Sequence, residues 1–282
     1  MKTLGYYNGK YDELENMSVP MNDRVCWFGD GVYDAGPCRN YKIFAIDEHV
    51  DRFFNSAGLI KMQVPCTKAE LKALLQDLVN KMDTGDLFIY FQVTRGTAVR
   101  THEFPENVPA NLWVMLKPMG TPDLYKKIRL LTQEDTRFLH CNIKTLNLLP
   151  SVMAAQKASE AGCQEAVFHR DGRVTECAHS NCHIIKEGIL YTAPADNLIL
   201  PGIARSHLIQ NCKKLGIPVS ETPYTLKELM DADEVLVTSS TKLCMSADEI
   251  DGRPVGGKAP ELLKRIQNAV KSEFLEETAT AD

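Results

Sequence analysis

Three turn signals limit most strongly what this chain can fold into. Asn8-Gly9, Asp171-Gly172 and Glu187-Gly188 each sit beside short β-rich runs, and such dipeptides supply the positive φ angles of two-residue hairpins. Hairpins pair strands antiparallel, in the N-terminal part as well as in the second half. Helical signals interleave with them. Asp47 is placed to cap a helix carrying Val50, Phe53, Phe54, Ala57 and Ile60, and Thr67-Lys-Ala-Glu70 is a capping box ahead of Leu71, Leu74, Leu75, Leu78 and Val79. Leu87 to Thr94 and Leu112 to Leu116 read as strands, after which Lys117-Pro-Met-Gly-Thr-Pro122 gathers two prolines and a glycine without periodicity.

The second half adds a helix from Asn147 to Ala161 closed by Gly162, a capping box at Thr225-Leu-Lys-Glu228, a buried-strand run Glu234 to Thr238 and a terminal helix Pro260 to Glu277. Strands and helices therefore alternate without the regular spacing of parallel βαβ units, which predicts an α+β fold. The 282 residues suit two domains at roughly 150 residues each. The boundary is expected at 117–123, giving an N-terminal domain 1–118 and a C-terminal domain 122–282.

Charge and cysteine content exclude several classes of partner. Lys and Arg number 32 against 37 Asp and Glu, for a net charge of −5, so no basic face for nucleic acid is expected. No stretch approaches the ~20 apolar residues of a membrane span, and the opening Met-Lys-Thr-Leu-Gly-Tyr-Tyr lacks a signal-peptide core. The nine cysteines contain no Cys-x-x-Cys and read as reduced thiols, so a cytoplasmic protein is expected.

Four segments carry candidate chemistry. Lys144 lies in His140-Cys-Asn-Ile-Lys-Thr-Leu-Asn-Leu-Leu149, just before a helix. A lysine attacks an aldehyde only as the neutral amine, a form favoured away from water, and Ile143, Leu146, Leu148 and Leu149 offer an apolar setting; the other reading is a plain surface charge. Glu176, in Val174-Thr-Glu-Cys-Ala-His-Ser-Asn181, is either a carboxylate that keeps a pyridine nitrogen protonated or a salt-bridged surface acid. Leu200-Pro-Gly-Ile-Ala-Arg205 running into a helix, and Thr238-Ser-Ser-Thr241 after a strand, aim N–H and hydroxyl groups as phosphate sites do, though each alone is a turn. In Val93-Thr-Arg-Gly-Thr-Ala-Val-Arg-Thr-His102, Arg100 and His102 point the same way in extended chain and suit a carboxylate, unless they are loop-tip donors facing water.

Taken together, these segments resemble the fold-type IV pyridoxal-phosphate enzymes, most closely the bacterial D-amino-acid aminotransferases. The resemblance runs through Phe28-Gly-Asp-Gly-Val-Tyr33, Asp47-Glu-His-Val-Asp-Arg52, Tyr90-Phe-Gln-Val-Thr-Arg-Gly-Thr97, Arg100-x-His102, Phe104-Pro-Glu-Asn107, Ile143-Lys-Thr-Leu-Asn-Leu-Leu149, Thr175-Glu176, Ser180-Asn181 and Gly188-Ile-Leu-Tyr191. It implies a smaller N-terminal α/β domain and a larger C-terminal domain with a barrel-like sheet that anchors pyridoxal 5'-phosphate. The implied reaction is transamination between D-alanine or D-glutamate and 2-oxo acids such as 2-oxoglutarate and pyruvate.

By the resemblance Lys144 is the Schiff-base lysine, Glu176 pairs with the pyridine nitrogen and Arg52 binds the phosphate. Gly202, the N–H groups of Ile203 and Ala204, Ser240 and Thr241 complete the phosphate cup, Leu200 buttresses the ring, and Ser180 and Asn181 line the cofactor site. Tyr33, Arg100 and His102 form the trap for the substrate carboxylate, the last two reaching across a homodimer.

Two departures stand out. Ala204 replaces the family's usual threonine, which removes a hydroxyl from the phosphate cup. Asp34-Ala-Gly-Pro-Cys-Arg-Asn40 replaces a strand of valines and a lysine; proline and glycine weaken a ladder, so a reshaped pocket lip is expected, with Arg39 as a competing carboxylate binder. Branched-chain aminotransferases and aminodeoxychorismate-type lyases are the alternatives within the fold type, and Arg100-x-His102 speaks against both. A zinc module built on Cys177, His179, Cys182 and His183 matches no structural zinc spacing, so no metal is expected.

Overall fold

The structure is a computed structural model that describes residues 1–280. The chain separates into two compact units. The first comprises Met1–Thr121, Ile143–Asn147 and the chain from Leu275 onward; the second comprises Pro122–Asn142 and Leu148–Phe274.

In the first unit the strands are β1 (Leu4–Tyr7), β2 (Lys10–Asp12), β3 (Gly31–Arg39), β4 (Lys42–Ile43), β5 (Leu87–Thr94) and β6 (Asn111–Pro118), and the helices are α1 (Arg24–Phe28), α2 (Ile46–Leu59) and α3 (Lys68–Val79). The strands form one antiparallel sheet in the order β2-β1-β6-β5-β3-β4. Asn8 and Gly9 turn β1 into β2 with φ of 46° and 92°. Because side chains alternate along a strand, Leu87, Ile89, Phe91 and Val93 face one way and bury against Val50, Phe53, Leu71 and Leu75 of α2 and α3. The Phe53 and Phe91 rings meet edge to face at 4.9 Å, and each such side chain contributes about 1.5–3 kcal/mol by leaving water. The other face carries Tyr33, Gln92, Trp113 and Tyr7 side by side in register across β3, β5, β6 and β1.

Two local expectations are corrected here. Asp47 does not cap α2: Ala45 holds that position at φ 49° with no side-chain cap. Asp47 instead lies in the first turn, where an acid favours the helix dipole, and accepts from Lys72 Nζ at 2.6 Å. Nor do Gly36 and Pro37 interrupt the ladder they were expected to weaken, for β3 keeps an unshifted register with β5 from Gly31 to Cys38. Pro37 accepts from Phe44 N on the β4 side, and a residue's N and O point to the same side of a strand. Its missing N–H therefore falls away from β5.

In the second unit the strands are β7 (Lys127–Glu134), β8 (Glu165–Arg170), β9 (Arg173–Cys177), β10 (Asn181–Lys186), β11 (Ile189–Thr192), β12 (Val219–Ser220), β13 (Glu234–Ser239), β14 (Leu243–Ile250) and β15 (Arg253–Pro254). The helices are α4 (Leu149–Glu160), α5 (Ile203–Lys214), α6 (Leu226–Asp231) and α7 (Pro260–Glu277), the last belonging to this unit as far as Phe274. The sheet runs β12-β11-β10-β13-β14-β7-β8-β9, with β15 on β14. Its β7 pairs parallel with both β14 and β8, and it curls to bring β9 back beside β10, the barrel-like form expected of the larger domain. Both further hairpins form, with positive φ at Asp171, Gly172, Glu187 and Gly188. The capping boxes at Thr67 and Thr225 close as expected, one in each unit.

A buried histidine ties this sheet together. His183 on β10 is fully enclosed and bonds Thr192 through Nδ1 at 2.9 Å and Thr238 through Nε2 at 2.8 Å. Burial, with Arg205 adding to it, pulls its pKa down to about 3. The unfolded chain takes up this proton near the ordinary value of ~6.5, so stability is fully present above that value and falls as pH drops toward 3. At about pH 5 the effect is on the order of 2 kcal/mol. Thermal melts of the wild type and His183→Asn at about pH 7.5 and pH 5 are expected to show the smaller fall in Tm in the variant; equal falls would remove His183 as a cause.

Candidate active site

Ile143–Asn147 lies along the beginning of β3. Tyr33 N donates to Lys144 O at 2.9 Å, Leu146 N donates to Gly31 O at 3.1 Å, and Thr145 bridges Val32. Glycine at position 31 makes this approach possible, because a Cβ there would stand 2.6 Å from Leu146 Cδ1 and 2.5 Å from Val93 O. Lys144 N donates to Ser56 Oγ of α2 at 3.2 Å. The backbone thus aims the side chain, whose Nζ stands 4.2 Å from the centroid of the Tyr33 ring. Tyr33 in turn stacks on Tyr90 at 5.3 Å, and Tyr90 donates to Gln92 Oε1 at 2.6 Å. Burial, with Tyr33 alongside, pushes the Tyr90 phenol well above its usual range, so it remains a neutral donor.

Arg52 is held by a carboxylate from β3. Its Nε and Nη2 both donate to Asp34 at 2.8 Å, a side-on pairing that fixes the guanidinium plane. His49 Nδ1 meets the same carboxylate at 2.7 Å. Burial alone would raise the Asp34 carboxyl, but Arg52 and His49 outweigh it and hold the group well below the usual carboxylate range. Burial drives His49 the other way, below the usual imidazole value. The glycine of the altered segment has its reason here: a Cβ at Gly36 would stand 2.8 Å from His49 Nε2.

Arg100 and His102 come together on one ring. The Arg100 guanidinium carbon lies 5.1 Å from the Phe28 centroid, and the His102 ring lies 5.2 Å from it. Both side chains are exposed, on the loop that follows β5. Arg39 shares the Tyr33 face of β3 by alternation but sits six residues further along, ~20 Å at strand spacing. It donates to Thr278 O at 3.4 Å.

In the second unit Glu176 ends up nine-tenths buried or more, with both oxygens addressed. Arg137 Nη1 donates to Oε1 at 2.5 Å, while Asn181 Nδ2 and Leu200 N donate to Oε2 at 3.0 and 3.1 Å. Arg137 also donates to Asp135 through Nε and Nη2, both at 2.9 Å. Burial disfavours its charge, but Asp135 and Glu176 more than offset that and keep it firmly protonated. Asn181 therefore orients Glu176, and through a second bond at 3.0 Å it also fixes Leu200 O. Ser180 Oγ donates to buried Glu165 at 2.8 Å, and Lys242 Nζ reaches the same carboxylate at 3.3 Å.

Helix α5 opens at Gly202 with no side-chain cap and no acid in its first turn. The N–H groups of Ile203 and Ala204 stand at the positive end of that helix, where an anion is stabilised. Arg205 does not share this task, being turned to Thr192 Oγ1, Ala193 O and Glu221. A Cβ at Gly202 would lie 2.0 Å from Asn181 Oδ1, so only glycine lets the helix start beside the asparagine. Ser239 and Thr241 share a hydroxyl contact of 3.3 Å in the turn that also holds Ser240. A buried, oriented carboxylate and an uncapped helix start fit a cofactor with a ring nitrogen and a phosphate.

Sequence reasoning did not single out Arg137 or Asp34, nor Phe28 and His49, although the last two stood inside motifs it used. Arg137 carries no local signal, since its partners Asp135 and Glu176 meet only through the curl of the sheet.

Comparison with known proteins identifies the family. The model of the family "Amino-transferase class IV" matches residues 31–250. The D-alanine aminotransferase of Bacillus licheniformis is 39% identical over 282 residues, covering 99% of each chain. That of Listeria monocytogenes serotype 4b (strain F2365) is 41% identical over 280 residues, covering 96% of each. Among solved structures, the branched-chain aminotransferase of the thermophilic archaeon Thermoproteus uzoniensis, with norvaline, superposes with a TM-score of 0.85 at 26% identity, covering 97% of both chains. The Escherichia coli branched-chain enzyme reaches 0.89 at 24% identity, over 99% and 96% of the two chains, and shares the fold. The chain belongs to the class IV aminotransferases, pyridoxal-phosphate-dependent transaminases of fold type IV.

Proposed function

We propose that this protein transfers amino groups between D-amino acids, D-alanine and D-glutamate among them, and 2-oxo acids such as 2-oxoglutarate and pyruvate, with Lys144 as the covalent anchor of pyridoxal 5'-phosphate. The observation that carries the D-specific reading is the gathering of Arg100 and His102 on Phe28, which presents two donors to one carboxylate. Relatives named D-alanine aminotransferases support it.

When bound, the cofactor ring supplies an electron sink for the pair released as the Cα–H bond breaks. The protein does the rest. Lys144 Nζ takes the α-hydrogen as a proton and returns one on the same face. Glu176, held by Arg137, Asn181 and Leu200 N, keeps the ring nitrogen protonated. Arg52, the N–H groups of Ile203 and Ala204 at the Gly202 turn, Ser240 and Thr241 receive the phosphate, without the hydroxyl that Ala204 lacks. Leu200 buttresses the ring, and Ser180, tied to Glu165, steadies Asn181.

Tyr33 joins Arg100 and His102 in holding the substrate carboxylate. An amine that moves the proton from one side only would leave the side on which the carboxylate is trapped to decide which enantiomer offers its α-hydrogen. Arg100→Ala is expected to raise KM for D-alanine and 2-oxoglutarate together by about 10–100-fold, since both lose the same charge-assisted bonds. Arg39→Ala is expected to change it little. Steady-state kinetics with both enantiomers check this; abolished D-amino-acid turnover in Arg39→Ala with Arg100→Ala intact would overturn the trap.

A homodimer is part of the proposal, the two residues of the trap reaching the partner's site. Exposed apolar side chains support it: Val99 is 81% exposed and Phe104 55% near the trap, and Leu149 is 71%, Val152 58% and Met153 65% exposed along α4. All nine cysteines are free thiols, in keeping with a cytoplasmic location. No helix among the described residues is long and apolar enough to cross a membrane.

A further inference from the structure

The exposed loop with Arg100 and His102 is tied down from beneath by a residue that touches neither side chain's donors. Arg24, the first residue of α1, is 2% exposed. Its Nε donates to Asp30 at 2.7 Å, Nη1 to Thr101 O at 2.7 Å and Nη2 to His102 O at 3.4 Å. Its guanidinium carbon also lies 4.9 Å from the centroid of Phe28, the ring that carries Arg100 and His102. One buried cation thus holds the backbone of the trap and one side of its platform.

Asp30 makes the arrangement rigid. It is shared with Arg95, whose Nε lies 2.9 Å from the same oxygen and whose Nη1 and Nη2 reach Lys61 O and Ile60 O. Arg95 further lies 3.6 Å over the Phe104 ring, so both ends of the loop lead to one carboxylate. Asp23, which caps α1, also accepts from Thr94 and Asn111 at 3.0 and 2.8 Å, which fixes where Arg24 begins. Among the described residues no other arginine in the region bonds the two consecutive loop carbonyls of Thr101 and His102.

The geometry points to Arg24 as a positioning residue for carboxylate recognition: it presets the Arg100 and His102 loop in the capture conformation, so that substrate binding does not have to order it. The inference rests on the reading of Arg100 and His102 as the carboxylate trap. A loop ordered beforehand spares the substrate the entropy of fixing it, and the effect falls on binding rather than on proton transfer at Lys144.

Arg24→Lys tests this in the holoenzyme, because lysine keeps the charge beside Asp30 but cannot also span two carbonyls. Expected are a rise of about tenfold in KM for D-alanine and for 2-oxoglutarate, kcat within about twofold, and faster hydrogen exchange of amides 98–103. Phe28→Leu, which keeps the guanidinium bonds and removes the platform, is expected to raise both KM values in the same way and serves if the lysine variant does not fold. Unchanged KM in these variants while Arg100→Ala raises it would overturn the positioning role, as would a fall in kcat with KM unchanged. If Arg100→Ala itself leaves KM unchanged, the trap reading is what fails, and unaltered exchange of 98–103 in Arg24→Lys would overturn the ordering of the loop separately.

Discussion

Lys144→Ala is expected to leave a folded protein whose transamination falls by at least about 10⁴-fold. The folded state survives because the bonds that place this segment are made by its backbone: Lys144 O accepts from Tyr33 N, and Lys144 N donates to Ser56 Oγ. The contact of Nζ with the Tyr33 ring disappears, about 0.5–1 kcal/mol for a partly exposed cation over an aromatic face, and buried His49 loses a neighbouring positive charge. Catalysis has no such reserve. General acid–base transfer by a positioned group is typically worth ~10²–10⁴-fold, and in the proposed function the same amine is also the covalent anchor. Circular dichroism and a thermal melt establish the fold, dialysis followed by absorbance reads cofactor retention, and a coupled assay with D-alanine reads turnover. Near-wild-type turnover in the variant would overturn the assignment of Lys144.

Glu176→Gln is the second large effect, expected to slow the first half-reaction by about 10²–10³-fold while the cofactor stays bound through Lys144. A neutral amide no longer holds a proton on the ring nitrogen. The surroundings add to the loss. Arg137 donates to Oε1, and Asn181 Nδ2 and Leu200 N donate to Oε2, so these three neighbours all offer a hydrogen and a glutamine must turn its own NH₂ toward one of them. Arg137 remains paired with Asp135, which preserves the fold around it. Rapid-mixing measurement with D-alanine gives the single-turnover rate; an unchanged rate would leave Glu176 a structural role only.

What could be read in advance divides along a physical line. The turns at Asn8, Asp171 and Glu187 and the boxes at Thr67 and Thr225 were legible because each depends on φ angles or bonds within four residues. The cap of α2 was not, since Ala45 takes a positive φ that no local pattern announces and Asp47 serves Lys72 from another helix. The stretch 34–40 misled for a similar reason. Gly36 and Pro37 look like strand breakers one residue at a time, yet His49 fills the space over one and the outer side of β3 absorbs the missing N–H of the other. Lys144 was singled out only through resemblance, whereas the network that orients Glu176 requires Arg137, 39 positions away in sequence. The loop clamp likewise joins Arg24 to Thr101 across 77 positions.

The lysine segment also sets an order of events during synthesis. The first unit is built from the chain up to Thr121, but Ile143–Asn147 belongs to it as well. Until those residues have left the ribosome, Gly31 O and Tyr33 N lack the partners they have in the finished structure, and Leu146 is absent from its place against Gly31. Pairing over more than a hundred residues is the slow kind of contact, because a long loop must close before it is rewarded. A nascent chain halted near residue 121 would therefore hold a sheet with an unfinished margin at β3, and the segment with Lys144, the proposed anchor, would arrive after all the rest of that unit except the chain from Leu275 onward.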